Sequence, residues 1–398
     1  MFRPTTLFRI LIFTSIAGVL STFSSCVDDD DNELDEAIFA LNLSPLPEVT
    51  YPTDNPISEE KVHLGKLLFW DPIIGGENDV ACVTCHHPDH GYSDGIETPI
   101  GVNGVGLGPD RVENAGGLSL LSPIDRVGRN SPSIINTAYN GMTSLGAYSP
   151  ENAIMFWDGR VSSLEMQCQK PPTSRDEMLG DVTTKEEAMD LVIEELSAIP
   201  EYVALFDEAF GGGSASVTKE NYGKAIASFE RTIVSRNSPF DRYLRGTRTA
   251  LTTQQKEGLI LFYGDAECDN CHGGPMLSDF TFHVLGVPDN PVIGMDGGLD
   301  TLFLFRTPTL RNASITGPYM HSGVYPTLAD AVEFMSSGVS ANPMVASGMK
   351  DVDFKRRDLS DEDKAALVAF LESLTDDSFD KAPVFSVPSG LPVGGMIQ

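Results

Sequence analysis

The sequence predicts a mainly α-helical protein built from two domains in tandem. Its 398 residues, 41% of them hydrophobic, are enough for two cores of ordinary size. Several segments repeat their apolar residues at helical spacing, whereas strand-like segments are short and few. A C-x-x-C-H motif stands in each half of the chain, at Cys82 and at Cys268. We therefore expect two helical units, each organised around its own motif.

The chain begins like an exported protein. Residues 1–25 run from a basic start through the apolar segment LFRILIFTSIAGVL to STFSS, as in a signal peptide. Cys26 follows at the position of the lipidated cysteine of bacterial lipoproteins; ordinary signal cleavage nearby is the alternative. We therefore expect a lipoprotein in the periplasm or at the cell surface. Its lipid would be its only membrane contact, because no other apolar run approaches the roughly 20 residues of a span.

Residues 26–44 form an acidic segment containing VDDDDNELDE, which we interpret as a solvated, disordered tether. The whole chain is also acidic, with a formal net charge of −30. Nucleic acid is excluded as a partner, since phosphate binding requires a basic face. The acidity is compatible with steering of a basic redox protein, and equally with solubility alone.

The first domain is expected at 45–244 and the second at 245–378. A helix is predicted in ISEEKVHLGKLLFWDP, with Ser58 as N-cap and Pro72 beyond its end. A glycine-rich loop follows at 100–130, and KEEAMDLVIEELSAI and NYGKAIASFERTIV are helical by pattern. The domain junction is placed in RGTRTALTTQQKEGL. A helix opened by Ser360 ends the second domain, and its Leu367, Phe370, Leu371 and Leu374 follow the spacing of an apolar face. Residues 379–398 are a tail.

The two C-x-x-C-H motifs carry the chemistry. The spacing is that of c-type haem attachment, where two thiols bond the porphyrin edge and the histidine ligates the iron. A redox dithiol or a zinc ribbon would not explain a histidine directly after both pairs. We therefore predict two cytochrome c-like haem domains in tandem, each with a covalently bound haem c. The residues involved are Cys82, Cys85 and His86 in the first motif, and Cys268, Cys271 and His272 in the second.

Further segments of the chain resemble one bacterial family. They are CVTCHHPDHGYSDG, GRNSPSIINTAYN, FWDGRVSSLEMQ, CDNCHGGP, RTPTLRNASITGPYMHSG and TLADAVEFM. In this combination the chain resembles the dihaem cytochrome c peroxidases and their relatives of the MauG type, from about LGKLLFWDP to ALVAFLESL. In that family the haem of the C-terminal domain stores an electron, and the haem of the N-terminal domain reacts with peroxide.

The resemblance implies how each iron is completed. Met335 matches the methionine opposite the proximal histidine of the C-terminal haem, a ligand that favours ferrous iron. At the N-terminal haem, many members close the iron with a histidine in an IGHG context. Val102 stands at that position in IGVN and cannot ligate iron, which implies an open site. His87 and His90 are the alternative ligands that could close it.

The resemblance also implies the groups around the irons. Gln167 and Glu177 match the polar pair that assists cleavage of peroxide, and Trp157, after Phe156 in FWDGR, matches an electron bridge between the haems. A calcium ion between the domains would be held by Asn130, Thr316 and Pro318. Cys168 has no counterpart with a role, and a buried inert thiol is its default interpretation.

We therefore expect a membrane-tethered dihaem peroxidase that reduces hydrogen peroxide with electrons from a small cytochrome or cupredoxin. A MauG-like oxidase acting on a protein or small molecule is one alternative, although Met335 takes the place of the tyrosine of those proteins. A non-enzymatic electron-transfer cytochrome is the other, but it leaves Glu177 and Gln167 unexplained. The family also makes a homodimer a possibility.

Overall fold

The computed structural model describes residues 29–113 and 126–397. The signal segment, Cys26 and residues 114–125 of the glycine-rich loop lie outside these ranges. The described chain is mainly helical, which confirms the predicted fold class. Its helices are α1 (Asp29–Ala40), α2 (Glu59–Trp70), α3 (Cys82–Cys85), α4 (Leu164–Gln167), α5 (Ala188–Ser197), α6 (Pro200–Phe210), α7 (Lys219–Glu230), α8 (Pro239–Leu244), α9 (Thr253–Tyr263), α10 (Leu328–Ser337) and α11 (Asp361–Glu372).

The strands are short and join neighbouring loops. β1 (Gly104–Val105) pairs with β2 (Val112–Glu113), and β3 (Phe282–His283) pairs with β4 (Phe305–Arg306), both antiparallel. Much of the remaining described chain consists of turns and single helical turns. No described helix combines the length and the apolar character that crossing a bilayer requires.

The N-terminal half is organised by the packing of α2 against α7. α2 begins after Ser58, whose hydroxyl accepts a hydrogen bond from the Lys61 amide, as the sequence predicted. The helices approach so closely at Gly65 that a Cβ there would lie 2.0 Å from the Ala225 carbonyl oxygen. Around this crossing a buried cluster includes Leu64, Leu68, Leu164, Tyr202, Phe206, Tyr222 and Ile226.

The C-terminal half repeats this design with α9 and α11. Here Gly258 is the point of contact, since a Cβ there would lie 1.9 Å from the Ala366 carbonyl oxygen. Ser360 caps α11 in a capping box with Asp363, as expected. The apolar face predicted for this helix is buried, with Leu367, Phe370, Leu371 and Leu374 in one cluster with Phe240, Leu259 and Phe262.

The acidic segment departs from our expectation. Its described part is helical in α1 and contacts α9 of the C-terminal half, so the disordered tether predicted there was wrong for Asp29–Ala40. Ile38 is only 2% exposed and belongs to the same cluster as Leu259. The Asp35 carboxylate accepts a hydrogen bond from the Tyr243 hydroxyl at 2.5 Å and lies 3.0 Å from Lys256 Nζ. The acidic residues on this side therefore hold the helix in place.

The segment at 379–397 packs back onto the N-terminal half. Phe379 and Val387 are buried in a cluster with Phe69 and Trp70. The Ser389 hydroxyl donates to Asp71 at 2.6 Å. The last described residues thus cover the end of α2, while α1, near the other end of the chain, covers the C-terminal half.

Candidate active site

The first C-x-x-C-H motif lies on the short helix α3, and His86 is its C-cap. The His86 Nδ1 atom lies 3.2 Å from the Tyr92 carbonyl oxygen and 3.3 Å from the Ser131 hydroxyl. Since a carbonyl can only accept, Nδ1 carries the proton and Nε2 is left with its lone pair. Burial lowers the pKa of His86 to about 4, which keeps the ring neutral, as an iron ligand must be.

The second motif repeats this arrangement. Cys268 begins a single helical turn, and the His272 Nδ1 atom donates to the Leu277 carbonyl at 3.0 Å. Burial also lowers the pKa of His272. Each of the five cysteines in the described part is free of disulfide bonds. Both motifs therefore present two free thiols and one oriented, neutral imidazole, the donor set that a haem c requires.

A cavity adjoins the second motif, and the residues that line it suit a haem. Cys268, Cys271 and His272 line it, and so does Met335 from α10. Two further lining residues bury a nitrogen without a hydrogen-bond partner among the described residues, namely His321 Nε2 and Arg311 Nη2. The guanidinium nitrogen can only donate and requires an acceptor, and the propionate groups of a haem are suitable ones.

Trp157 connects this cavity to the N-terminal half. It lines the cavity, its Nε1 donates to the Asn130 carbonyl at 2.9 Å, and its carbonyl accepts from the Arg306 amide at 2.7 Å. Its ring also makes an edge contact with His321, with 6.5 Å between the ring centroids. An aromatic side chain so held has a fixed place at the boundary of the two halves.

Glu177 lies on a π-helical turn, Arg175–Leu179, beside the first motif. Burial raises the pKa of its carboxyl group to about 7, and the charge of Asp176 adds to this effect. Its charge is close enough to act on the Cys85 thiol. A carboxyl group with such a pKa can both take and release a proton near neutral pH. Gln167, the other predicted polar residue, is half-buried at the end of α4.

Val102 lies in a loop that contacts the turn of Glu177. It is 4% exposed and belongs to the apolar cluster that also contains Met178. The residue before it, Gly101, lies so close to this turn that a Cβ would be 2.4 Å from the Glu177 carbonyl oxygen. The loop of Val102 and the turn that carries Glu177 are thus in contact.

His87 and His90 have other contacts. His87 is buried, its Nδ1 accepts from the Asp89 amide at 3.2 Å, and its ring makes an edge contact with Trp70. The ring of His90 lies against Gly108, where a Cβ would be 2.2 Å from Nε2. His87 is therefore part of a local turn, and His90 packs on the loop that follows Val102.

The three residues predicted to hold calcium line the same cavity as the second motif. They are Asn130, Thr316 and Pro318. The Asn130 side-chain amide donates to the Ile96 carbonyl at 2.9 Å, and its oxygen has no hydrogen bond among the described residues. Each of the three residues can offer an oxygen atom, the ligand type that calcium binds.

Cys168 is buried, and its Sγ lies 3.9 Å from a carboxylate oxygen of Glu230. Burial raises the pKa of this thiol well above its usual value, and the nearby carboxylate adds to the effect. A protonated, enclosed thiol is a poor nucleophile. The default interpretation of Cys168 as an inert core residue agrees with this position.

Sequence reasoning missed Arg111, which is buried against the loop that carries Val102. A lone arginine after a glycine-rich segment carries no signal of burial. It also missed the contacts of the tail, where the Thr84 hydroxyl inside the first motif donates to the Gly394 carbonyl. The apolar residues near the end of the chain were the only available signal.

Comparisons with known proteins agree with this arrangement. A sequence model of the family described as di-haem cytochrome c peroxidase matches residues 59–249. The chain is 34% identical over 369 residues to the cytochrome-c peroxidase IdrP1 of Pseudomonas sp. (strain SCT), covering 84% of this chain and 85% of that protein. It is 32% identical over 350 residues to the methylamine utilization protein MauG of Methylorubrum extorquens, covering 87% and 86%.

Among solved structures, the chain is similar to a MauG-like protein associated with microbial copper homeostasis. The TM-score is 0.68 at 28% identity, and the match covers 84% of this chain and 95% of that one. This family implies two c-type haems, in agreement with the two motifs and their oriented histidines. The chain belongs to the di-haem cytochrome c peroxidase and MauG family.

Proposed function

We propose that this protein is a peroxidase that reduces hydrogen peroxide to water with electrons from a small redox protein. The reaction consumes one peroxide, two electrons and two protons, and yields two waters. The observation that carries the proposal is the position of Glu177, whose carboxyl group has a raised pKa and whose turn contacts the loop of Val102 beside the first motif. Glu177 would act as the proton carrier, and Val102, which cannot ligate iron, would leave room for a small oxidant.

The proposed roles of the residues follow from their chemistry. A haem at each motif, held by Cys82, Cys85 and His86 or by Cys268, Cys271 and His272, would supply the electron-transfer and peroxide chemistry when bound. Glu177 takes a proton from the inner oxygen of peroxide and returns it to the outer one, so that water leaves. Gln167 donates to the bound oxidant and orients it.

Met335 and Trp157 are proposed to act in electron transfer to the first haem. Met335 would be the second ligand of the C-terminal iron, whose reduced state a thioether favours. Trp157, fixed at the boundary of the two halves, would lie on the path from that haem to the first. The external donor would be a small cytochrome or cupredoxin.

We also propose a calcium ion held by Asn130, Thr316 and Pro318, with waters completing its shell. We propose in addition that lipidation of Cys26 anchors the exported protein to a membrane. Mass spectrometry of the mature N-terminus tests that anchor, because ordinary signal cleavage would leave an unlipidated chain.

The test of the function is peroxide-dependent oxidation of a reduced small cytochrome by the purified, haem-loaded protein. Low-temperature electron paramagnetic resonance (EPR) of the fully oxidised protein is recorded beside it. Turnover together with one high-spin and one low-spin ferric signal is expected. Two low-spin signals would contradict the open site, and absence of turnover would contradict the peroxidase function.

A MauG-like oxidase remains the second candidate, because the match to MauG of M. extorquens is as extensive as the match to the peroxidase. Peroxide consumption that depends on a protein or organic substrate, and not on a reduced cytochrome, would favour it.

A further inference from the structure

We propose that Arg111 is a positioning residue, whose guanidinium group fixes the loop at 100–106 so that Val102 and Glu177 keep their places beside the first motif. The inference rests on the proposed function, since it concerns the place where peroxide would react. Arg111 has no part in the proposed ligand sets or in the catalytic pair.

The guanidinium group of Arg111 is buried and donates to backbone carbonyls instead of a carboxylate. The residue is 4% exposed. Its Nε donates to the Ile100 carbonyl at 2.5 Å, its Nη2 to the Gly101 carbonyl at 2.7 Å, and its Nη1 to the Gly106 carbonyl at 2.9 Å. These acceptors belong to the backbone on both sides of Val102. The guanidinium therefore fixes the path of the loop.

The loop is shaped around this group. A Cβ at Gly104 would lie 2.6 Å from the guanidinium, so a residue without a side chain is required at the point of closest approach. On its outer side the Asn103 amide donates to Asp79 at 2.7 Å, and the Gly106 amide donates to the Met396 carbonyl at 2.9 Å. The loop is thus held from the inside by Arg111 and from the outside by Asp79 and the tail.

The loop in turn contacts the turn of Glu177. A Cβ at Gly101 would lie 2.1 Å from the Asp176 carbonyl oxygen and 2.4 Å from that of Glu177. Gly101 is also the residue whose carbonyl Arg111 binds. A displacement of the loop would therefore reach Glu177 directly, and it would move Val102, the next residue in the chain.

The electrostatic contacts agree with a shared site. Arg111 and Glu177 are both close enough for their charges to act on the Cys85 thiol. Lysine would not replace Arg111, because one ammonium group cannot reach three carbonyls that a planar guanidinium binds from separate nitrogens. The conservative variant Arg111→Lys therefore distinguishes the geometry of the group from its charge.

The experiment compares Arg111→Gln and Arg111→Lys with the wild-type protein, all full-length and loaded with haem. We expect both variants to retain two haems and an unchanged signal from the C-terminal haem. The ferric EPR signal of the first haem should change, with part of it converted to low spin. The kcat for peroxide should fall on the order of 10- to 100-fold with a smaller change in KM, and the acidic limb of the pH profile should shift.

Arg236→Gln is the matched control. Arg236 also donates to a backbone carbonyl, that of Pro47 at 3.0 Å, and it forms an ion pair with Glu48. Neither of these partners belongs to the loop at 100–106. This variant should retain the wild-type spectrum and pH profile.

An Arg111→Gln protein with the wild-type EPR signal and pH profile would overturn the proposal. If Arg111→Gln fails to fold, Gly104→Ala is the second variant, since its methyl group would displace the guanidinium without removing it. The same spectral change is then expected, and a wild-type spectrum would overturn the proposal. Loss of haem in both Arg111→Gln and Gly104→Ala would assign Arg111 a purely structural role and would also overturn the proposal. Absence of peroxide turnover in the wild type would instead contradict the proposed function, and the spectral comparison would still stand.

Discussion

At the scale of single residues, the electrostatics of Glu177 give the site its pH dependence. Burial and Asp176 raise the pKa of this carboxyl group from 4.5 to about 7. Since folding favours its protonated form, this group makes the protein progressively less stable as the pH rises from about 4.5 to about 7. The same shift makes the carboxylate a stronger base, so stability is exchanged for reactivity at this position.

The substitution Glu177→Gln tests the proton carrier. The amide cannot accept the proton of peroxide, so kcat should fall by roughly 10²- to 10⁴-fold while KM changes little. In the wild type, kcat/KM should rise with pH around an apparent pKa of about 7, and the variant should lack this limb. The control is Glu187→Gln, at an exposed carboxylate outside the site. Equal pH profiles for the two variants would contradict the role of Glu177.

Met335 allows a second test at this scale. Replacing its thioether by an imidazole in Met335→His should lower the reduction potential of the C-terminal haem, by a fraction of the roughly 0.8 V that axial ligands span. Spectroelectrochemical titration measures this. Met344→His, at an exposed methionine, should leave both potentials unchanged. An unaltered potential in Met335→His would exclude Met335 as a ligand.

At the scale of elements, α1 shows how a strongly acidic segment can pack against the folded protein. The segment has a strongly acidic composition, but Asp35 and Ile38 lie on one side of the helix and contact α8 and α9. Lys256, at 4% exposure, has its charge compensated from this segment by Asp31 and Asp35. Part of the acidic composition of this segment thus serves to neutralise the charge of the buried Lys256.

The variant Asp35→Ala tests this contact. It leaves Lys256 and the Tyr243 hydroxyl without their nearest acceptor, so the free energy of unfolding should fall by about 1–3 kcal/mol. Urea unfolding followed by circular dichroism measures it. Glu36→Ala, one residue along and exposed, should change the stability by less than about 0.5 kcal/mol. Equal stability of the two variants would show that α1 does not contribute to the fold.

The sequence predicted local features well and distant contacts poorly. The caps Ser58 and Ser360 and the apolar face of α11 follow from neighbours in the sequence, and the structure confirms them. The orientation of His86 and His272 is local in the same sense, since each ring is held by a carbonyl five or six residues further along the chain. The docking of α1 and the burial of Arg111 depend on partners far along the chain, which a single sequence does not reveal.

At the scale of the whole molecule, the two halves meet around Asn130, Trp157 and His321. The Asn130 amide donates to the His321 carbonyl at 2.8 Å, and its carbonyl accepts from Trp157. The proposed calcium ligands come from the same place, with Asn130 in one half and Thr316 and Pro318 in the other. An ion there would couple the two haem sites mechanically.

Removal of calcium tests this coupling. Treatment with a chelator should lower peroxide turnover and the midpoint of thermal unfolding, because three oxygen ligands from two halves lose their common partner. Added Ca²⁺ should restore both values, and Mg²⁺ should do so less well, since it demands a smaller octahedral site. In Asn130→Ala the chelator should have little further effect. Full activity of the chelated wild type would exclude a functional calcium ion.

The tail contacts described above also bear on the order of folding. The hydrogen bond from Thr84 to Gly394 joins residues separated by 310 positions, and it lies inside the first C-x-x-C-H motif. Closing so long a loop is entropically costly and comes late when contacts of low sequence separation form first. The tail therefore covers the first motif late in folding. Until then the thiols of Cys82 and Cys85 stay accessible for the attachment of haem.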